Sequence, residues 1–569
     1  IRTNMKLKNI FKGILAFATL SAVSSCADLD LQPLTEPSSD TWNSNMDEVR
    51  ISLNDLYRTY PYQLEIRWFT DGHTDDFCHR NKVYDVPAAS LSSTTSWIES
   101  TWKNSYKAIS RCNRVIEKLA ELEQTDENHR LVGEARFFRA YFYSRLITLW
   151  GDVPFYTTSI TIDEARQMGR VSEKEVLRNI YEDYDYAAAN LPETNNVAGL
   201  WRVNRYCALA LKARIALTKG DWAIARDAAK EVMDSKKYSL YPDFGELFRD
   251  LTIDNGETIF AIANSTDLGQ SSSVNSFMLR TTVSSGAGAY PSWDLLAAFE
   301  CTDGKPIDES PLFDPHNPYL NRDPRCNETF VAPGSVIYGC VYDPAPSATT
   351  VLLDGKPVKN KDTKANDQYA ATTATCLRKG AQDSWRTGKN VSENPTIIIR
   401  YADVLLMFAE AKVELDEMDA AMLNAINDVR ARAYKTTRDN TNLYPALTMA
   451  DQNTMRLAIR RERRVEFAWE GRRFFDLLRW GWYEKACSHD YYAFPTKAGM
   501  AKLEKDGDYY WPWTPEVDEC GFADFKPMFD AGKIIRILPR KYDKRLPLFP
   551  IPATEVNISN GIIEQNPGW

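Results

Sequence analysis

The stretch "VNRYCALALKARIALTKGDWAIARDAAKEVMDS", residues 203–235, constrains the fold more than any other part of the chain. Ala208, Ala210, Ala213 and Ala216 precede a Gly220-Asp221 break, and Ala225, Ala228 and Ala229 follow it. Alanine favours helix and adds little bulk, so two helices can lie close together about such a break. This is the logic of a tetratricopeptide-like hairpin. "RYADVLLMFAEAKVELDEMDAAMLNAINDVRARA", residues 400–433, has the same character but no glycine at its turn, which predicts a looser turn. A further helical stretch covers 454–480. Earlier, Val132, Ala135, Phe138, Phe142, Leu146 and Leu149 form one apolar face that Gly151 and Pro154 end. Val176, Ile180, Tyr184 and Ala187 form another, ending at Pro192. The residues predict three or four helix pairs, not consecutive but interrupted.

The interruption is 238–396, rich in Gly, Ser, Pro, Thr and Asn, with short apolar runs such as "ETIFAIA" and "TFVAPGSVIYGCVY". It reads as long loops, a few short strands and short helices. A loop-rich insert on a rigid frame is where binding residues concentrate. The chain's last stretch contains Pro547, Pro550, Pro552 and Pro567, and reads as a rigid extended segment closing against the helical frame.

Met5 reads as the start of the protein proper. Lys6, Lys8 and Lys12 lead into an apolar run too short to span a bilayer and of the size of a signal-peptide core. The run ends Val23-Ser24-Ser25-Cys26, which resembles a bacterial lipobox. On that resemblance, 1–25 is a lipoprotein signal peptide and Cys26 is the lipidated first residue, anchored to a membrane by its acyl chains. Residues 26–45 are polar and acidic and read as a tether. Residues 46–569 then form a single domain, with the helical frame over 46–237 and 397–569.

The formal net charge of -9 does not suit a polyanion, which sets nucleic acid aside as a partner. Of ten cysteines none forms a C-x-x-C pair, and those beyond Cys26 read as mostly buried free thiols. His73 and His79 share a loop, but no metal site is assigned to them. No cofactor is expected, and a structural Ca2+ among loop carboxylates is left open. The chain shows no G-x-S-x-G or phosphate-binding loop.

Five motifs occur in order: "WGDVPF", "IIIRYADVLLMFAEAK", "INDVRARA", "RRERRVEFAWEGRRFFDLLRW" and "LPLFPIPATEVNISNGIIEQNPGW". With the lipobox, they closely resemble the SusD/RagB family of outer-membrane nutrient-binding lipoproteins of Bacteroidetes. The resemblance implies a mainly α fold of about four tetratricopeptide-like pairs with a loop-rich ligand-binding half. It also implies a non-catalytic protein at the outer membrane, facing outward and partnered with a TonB-dependent SusC-like transporter. Such a protein captures oligosaccharides or, in some members, peptides. The family's ligand contacts lie outside its sequence motifs, so no site residue is carried over from it.

Sugar rings stack their C–H faces on aromatic side chains, and their hydroxyls meet forked donors and acceptors. Three stretches offer this combination. The first runs from 67 to 97, with Arg67, Trp68, Asp71, Asp75, Asp76, Arg80, Tyr84 and Trp97. "SSGAGAYPSWDLL" offers Tyr290 and Trp293 behind a Gly-rich approach, and "GAQDSWRTGKN" offers Trp385 and Arg386. Asp71, Asp75, Asp76, Arg80, Trp97, Tyr290, Trp293, Trp385 and Arg386 are the candidate ligand contacts, with packing the alternative for each aromatic. Asp71, Asp75 and Asp76 are also the densest carboxylates a glycosidase could use, the rival reading being an outer-membrane helical glycosidase. The basic run Arg460 to Arg464 is expected to pair with Glu462 and Glu466 along its own helix. "YYWPWTPE", 509–516, reads equally as a partner interface or as a cover for the frame.

Overall fold

The computed structural model describes residues 45–569, except 59–61, 63, 65, 66, 81 and 198 and the side chains of Arg67 and Trp68. The expected signal peptide, Cys26 and the tether up to residue 44 fall outside the described residues. Two compact units are present, residues 1–51 and 52–569. The first holds, among described residues, the opening of the helix Met46–Asn54. The second holds the helical frame and the insert.

Eight helices pack in succession, each against the next in chain order, and the two predicted hairpins, about Gly220 and about Asp416, are both formed. The eight are α1 (Ser96–Ala120), α2 (Asp126–Trp150), α3 (Glu173–Asn190), α4 (Arg205–Lys219), α5 (Trp222–Asp234), α6 (Tyr401–Glu414), α7 (Ala420–Ala433) and α8 (Gln452–Glu466). A short α9 (Arg473–Arg479) comes next. Side-chain caps fix the starts: Thr125, Ser172, Asn204, Asp419 and Asp451 each accept from a backbone N–H in the first turn of their helix. Gly220 closes α4 in the left-handed conformation at φ 79°. After α6 that conformation falls to Asp416, at φ 57°. The turn without glycine is therefore closed rather than loose, because Asp tolerates this region better than most residues.

α5 and α6 pack together although the whole insert lies between them in sequence. The insert leaves and rejoins the frame through an antiparallel pair, β2 (Thr258–Ile262) with β4 (Thr396–Arg400). A second pair joins β1 (Phe77–His79) to β3 (Ala289–Pro291), placing Cys78 opposite Tyr290. The insert also carries a small antiparallel sheet over 336–359.

The C-terminal segment closes against a corner of the frame as expected, but it is not extended throughout, since Ala553–Ile558 form a short helix after Pro552. Phe549 N donates to Leu149 O at 2.8 Å, and Trp150 Nε1 donates to Pro550 O at 2.9 Å. Asn566 Nδ2 reaches both Trp150 O (3.0 Å) and Phe549 O (2.7 Å). In the "YYWPWTPE" stretch Tyr510 and Trp511 are core, while Trp513 remains exposed. The nine described cysteines are free thiols, eight of them buried and Cys520 half-buried. Among the described residues no helix is long and apolar enough to cross a membrane.

Candidate functional site

Most of the candidate contacts turn inward. Asp75 and Asp76 are buried at 1% exposure beneath α8 and α9. Asp75 accepts from Arg473 Nε (3.0 Å) and Nη2 (2.8 Å) and from Arg464 Nη2 (2.9 Å). Asp76 accepts from Arg464 Nη2 at 2.6 Å. Burial alone would raise the Asp75 carboxyl, but Arg464 and Arg473 outweigh it and hold it below the usual carboxylate range. Burial wins at Asp76, with Asp75 adding to it, and its carboxyl is raised. Asp71, fully buried, accepts from the Gly471 N–H at 3.1 Å, and burial raises it well above the ordinary range. Asp75 and Asp76 are therefore structural counter-ions, and Asp71 is a buried carboxyl held by a backbone N–H. They neither reach a ligand in solvent nor present the carboxylate pair a glycosidase needs. A loop of acidic residues looks solvated from its own sequence, but their partners lie almost four hundred positions away.

The same correction applies to the basic run. Its arginines do not pair along the helix but bridge to other elements. Arg463 reaches Asp403 on α6 (3.0 Å) and Asp476 on α9 (3.1 Å). Glu466 receives Arg400 at 2.6 Å, Arg325 at 2.8 Å and Arg432, while Glu462 receives Arg325 at 2.6 Å and Arg430 at 2.8 Å. Arg400 extends the network to Glu257 (2.7 Å) and Glu470 (2.7 Å). α8 is thus an ionic spine that ties the insert to the helical frame.

The aromatic candidates are mainly packing residues. Trp97 lies edge-on to Phe69 and Phe549, and its Nε1 donates to Asp85 Oδ2 at 3.1 Å. Tyr290 is 1% exposed, and its hydroxyl is hydrogen-bonded to Thr372. The Gly-rich approach to it is a close contact rather than a flexible hinge. A Cβ on Gly286 would sit 2.6 Å from the carbonyl oxygens of Met278 and Leu279. Trp293 packs on Phe494, Trp511 and Phe525 in a second core, with Nε1 donating to Thr373 O at 2.8 Å. Trp385 is also buried, with Nε1 donating to Asn394 Oδ1 at 3.2 Å. It does line a cavity of about 520 Å³, together with Phe277, Lys379, Ser392 and Trp469. Arg386 stays nearer the surface but is committed to Asp354, by a two-point pairing at 2.9 and 2.7 Å. A larger cavity of about 750 Å³, lined among others by Tyr141, Arg214, Met407 and Phe475, belongs to the helical frame.

Arg80 is the candidate that reaches an exposed aromatic. It comes directly after β1, and its Nη1 donates to the carbonyls of Ala287 (3.3 Å), Gly286 (3.4 Å) and Tyr369 (2.7 Å). One guanidinium thereby ties three segments of chain into a platform. At its centre Tyr369 is 46% exposed. The Arg80 and Arg280 guanidinium carbons lie 5.1 and 5.4 Å from its ring centroid. Asp367, 3.4 Å from Arg280 Nε, and Lys364, which donates to Gln368 O at 2.7 Å, lie in the same turn as Tyr369. Two residues beyond Arg80, Lys82 stands over the Tyr84 ring at 4.3 Å. His79 is held down to about 4 by burial and by Lys82 and Arg80, so its imidazole is neutral at neutral pH. Sequence reasoning missed Tyr369, Arg280 and Lys364. "NKDTKANDQYAA" did carry the signal, a lone aromatic in a polar turn, which is the criterion applied to Trp385. Among the described residues no group of three His, Cys, Asp or Glu is placed to hold a metal ion.

Taken together, these features define a tetratricopeptide-like scaffold that carries an irregular, loop-rich half with an exposed aromatic flanked by two guanidinium groups. Comparison with known proteins makes the assignment specific. The family model described as "SusD family" matches residues 256–569, and one described as "Starch-binding associating with outer membrane" matches 29–217. The chain belongs to the SusD family. It is 25% identical to "SusD-like protein P25" of Formosa agariphila, over 84% of this chain and 90% of that one. It is 23% identical to "SusD-like protein P2" of the same organism, over 97% and 98%. A solved SusD-like carbohydrate-binding protein from Bacteroides fragilis superposes with a TM-score of 0.74 at 25% identity, covering 91% of this chain and 99% of that one.

Proposed function

We propose that this chain binds oligosaccharides or polysaccharides at the cell surface and passes them, uncleaved, to a TonB-dependent SusC-like outer-membrane transporter. The observation that carries the reading is Tyr369, an exposed ring flanked by two guanidinium groups and set among fixed backbone and side-chain polar groups. A sugar needs that pairing of apolar face and forked donors. The carbohydrate-binding description of the Bacteroides fragilis relative supports it, as does the family description that associates starch binding with the outer membrane. In this reading 1–25 is removed, Cys26 carries the lipid anchor in the outer leaflet, 26–45 is the tether, and 46–569 works as one domain facing the medium.

The test is calorimetry on residues 27–569 against a panel of glycans and peptides, with chromatography of each glycan after incubation. Binding of a glycan, recovered intact and lost in Tyr369→Ala, is expected. Cleavage of the glycan, or binding of peptides alone, overturns the reading. Mass spectrometry of the native protein checks the anchor, which requires an acylated Cys26 at the N-terminus.

A further inference from the structure

We propose that Trp513 is a second saccharide contact, on a different loop from the Tyr369 platform. This rests on the glycan-binding reading and deepens it.

Exposure singles the residue out. The chain carries 15 Trp, 28 Tyr and 24 Phe. Of these, among the described residues, only Tyr369 and Trp513 are left exposed, at 46% and 37%. Taking an aromatic ring out of water is favourable, so a ring kept in solvent is the exception that calls for a reason. The tryptophans that the sequence puts forward offer no such surface. Trp97, Trp293 and Trp385 are buried, and each spends its indole N–H inside the protein.

The ring is also held in place. Residues 509–517 run antiparallel to 308–316. Trp511 N donates to Pro315 O at 2.9 Å, and Val517 N donates to Asp308 Oδ2 at 2.8 Å. Trp511 anchors one end of the turn in the core, packed on Trp293 and Phe525. At the other end Glu516 and Val517 pair with Asp524 and Ala523. Pro512 and Pro515 restrict the backbone between them. Trp513 is therefore displayed from a turn fixed on both sides, and a ring so fixed loses little freedom when a ligand stacks on it.

Its surroundings suit a sugar rather than a protein. Of the described residues in these two segments, Trp513 and Leu312 are the large apolar side chains left exposed. One ring and one aliphatic group match the C–H face of a sugar, whereas a stable protein interface buries about 800 Å² per partner. Asp308 and Glu309 on the facing segment and Glu516 on its own are exposed as well. The Val517 N–H fixes the Asp308 carboxylate beside the turn. Such oxygens accept sugar hydroxyls while the indole takes the apolar face. Residues 509–516 thus divide in two: Tyr510 and Trp511 cover the core, and Trp513 makes the contact.

The experiment takes the mature chain and a panel of starch, xyloglucan, galactan, mannan and xylan. Limited oxidation with N-bromosuccinimide, read by peptide mass spectrometry, is expected to reach Trp513 ahead of the buried tryptophans. The panel member whose binding depends on Tyr369 is expected to protect Trp513 from it. By calorimetry Trp513→Ala is expected to weaken that glycan about five-fold or more, with Tm unchanged. Trp513→Phe, which keeps a ring, is expected to restore most of the affinity. Unprotected Trp513 together with wild-type affinity in Trp513→Ala overturns this proposal and leaves the glycan-binding reading standing. Unchanged glycan affinity in Trp513→Ala, with co-purification of the transporter lost, also overturns it and makes the ring a protein contact. Failure of every glycan to bind overturns both.

Discussion

Asp75→Asn separates a structural role from a ligand-binding role at one atom. The substitution keeps the size of the side chain and removes its charge. Arg473, which makes both its hydrogen bonds to Asp75 at 3.0 and 2.8 Å, then loses its hydrogen-bonded carboxylate and keeps only Asp76, 3.9 Å away. Arg464 retains Asp76. All four groups are buried, so no water compensates. Breaking a buried ion pair from one side costs about 3–5 kcal/mol. If residues 52–569 unfold together, an entropy of about 2.1 cal/mol/K per residue sums to about 1.1 kcal/mol/K, and Tm falls by about 3–5 °C. Differential scanning calorimetry at neutral pH measures this, and glycan affinity of the folded variant is expected to stay at the wild-type level. A Tm within about 1 °C of wild type, combined with lost glycan binding, would refute the reasoning. It would return Asp75 to the ligand site.

The same variant gives a pH prediction. Because the Asp75 carboxyl is lower in the folded than in the unfolded chain, its contribution is full above about pH 4 and disappears as pH falls through the folded value. The Tm gap between wild type and Asp75→Asn is therefore expected to be constant near neutrality and to close below about pH 4, as scanning calorimetry across pH would show. Glu466→Gln removes the shared partner of Arg325, Arg400 and Arg432 and is expected to cost at least as much, about 3–5 kcal/mol in urea denaturation. Tyr369→Ala removes a half-exposed ring, so its Tm should hold while calorimetric glycan affinity drops at least about ten-fold. Iodoacetamide under native conditions, read by mass spectrometry, should label Cys520 ahead of the eight buried thiols, whose reaction requires unfolding.

The helical frame was legible because its signals are local. Helix boundaries come from residues within one turn, such as Thr125 at the start of α2 and Gly220 at the end of α4. Even the exception obeys a local rule, since Asp416 stands where glycine was missed. The loop-rich half was not legible in the same way. Whether Trp293 faces water is decided by Thr373, eighty positions on, and whether Asp75 is free is decided by Arg464. No window along the chain contains both members of such pairs. Short polar loops with aromatics were taken as the place to look, and Trp385 and Tyr369 satisfy that rule equally. Only the folded chain separates the ring that lines a cavity from the ring that stands in solvent.

The seam at Trp150 sets a clock on this protein. The corner that ends the first helical pair is held by Phe549, Pro550 and Asn566, the last of these 416 positions downstream of Trp150. A chain threaded N-terminus first through a membrane would expose that corner, with the Trp150 indole N–H and carbonyl unmatched, until nearly all of it had crossed. Synthesis order and completion order therefore run opposite ways, and the earliest helices to emerge are among the last to be finished. Whatever the order in which the chain is delivered, this corner of the frame stays open until its C-terminal segment is present.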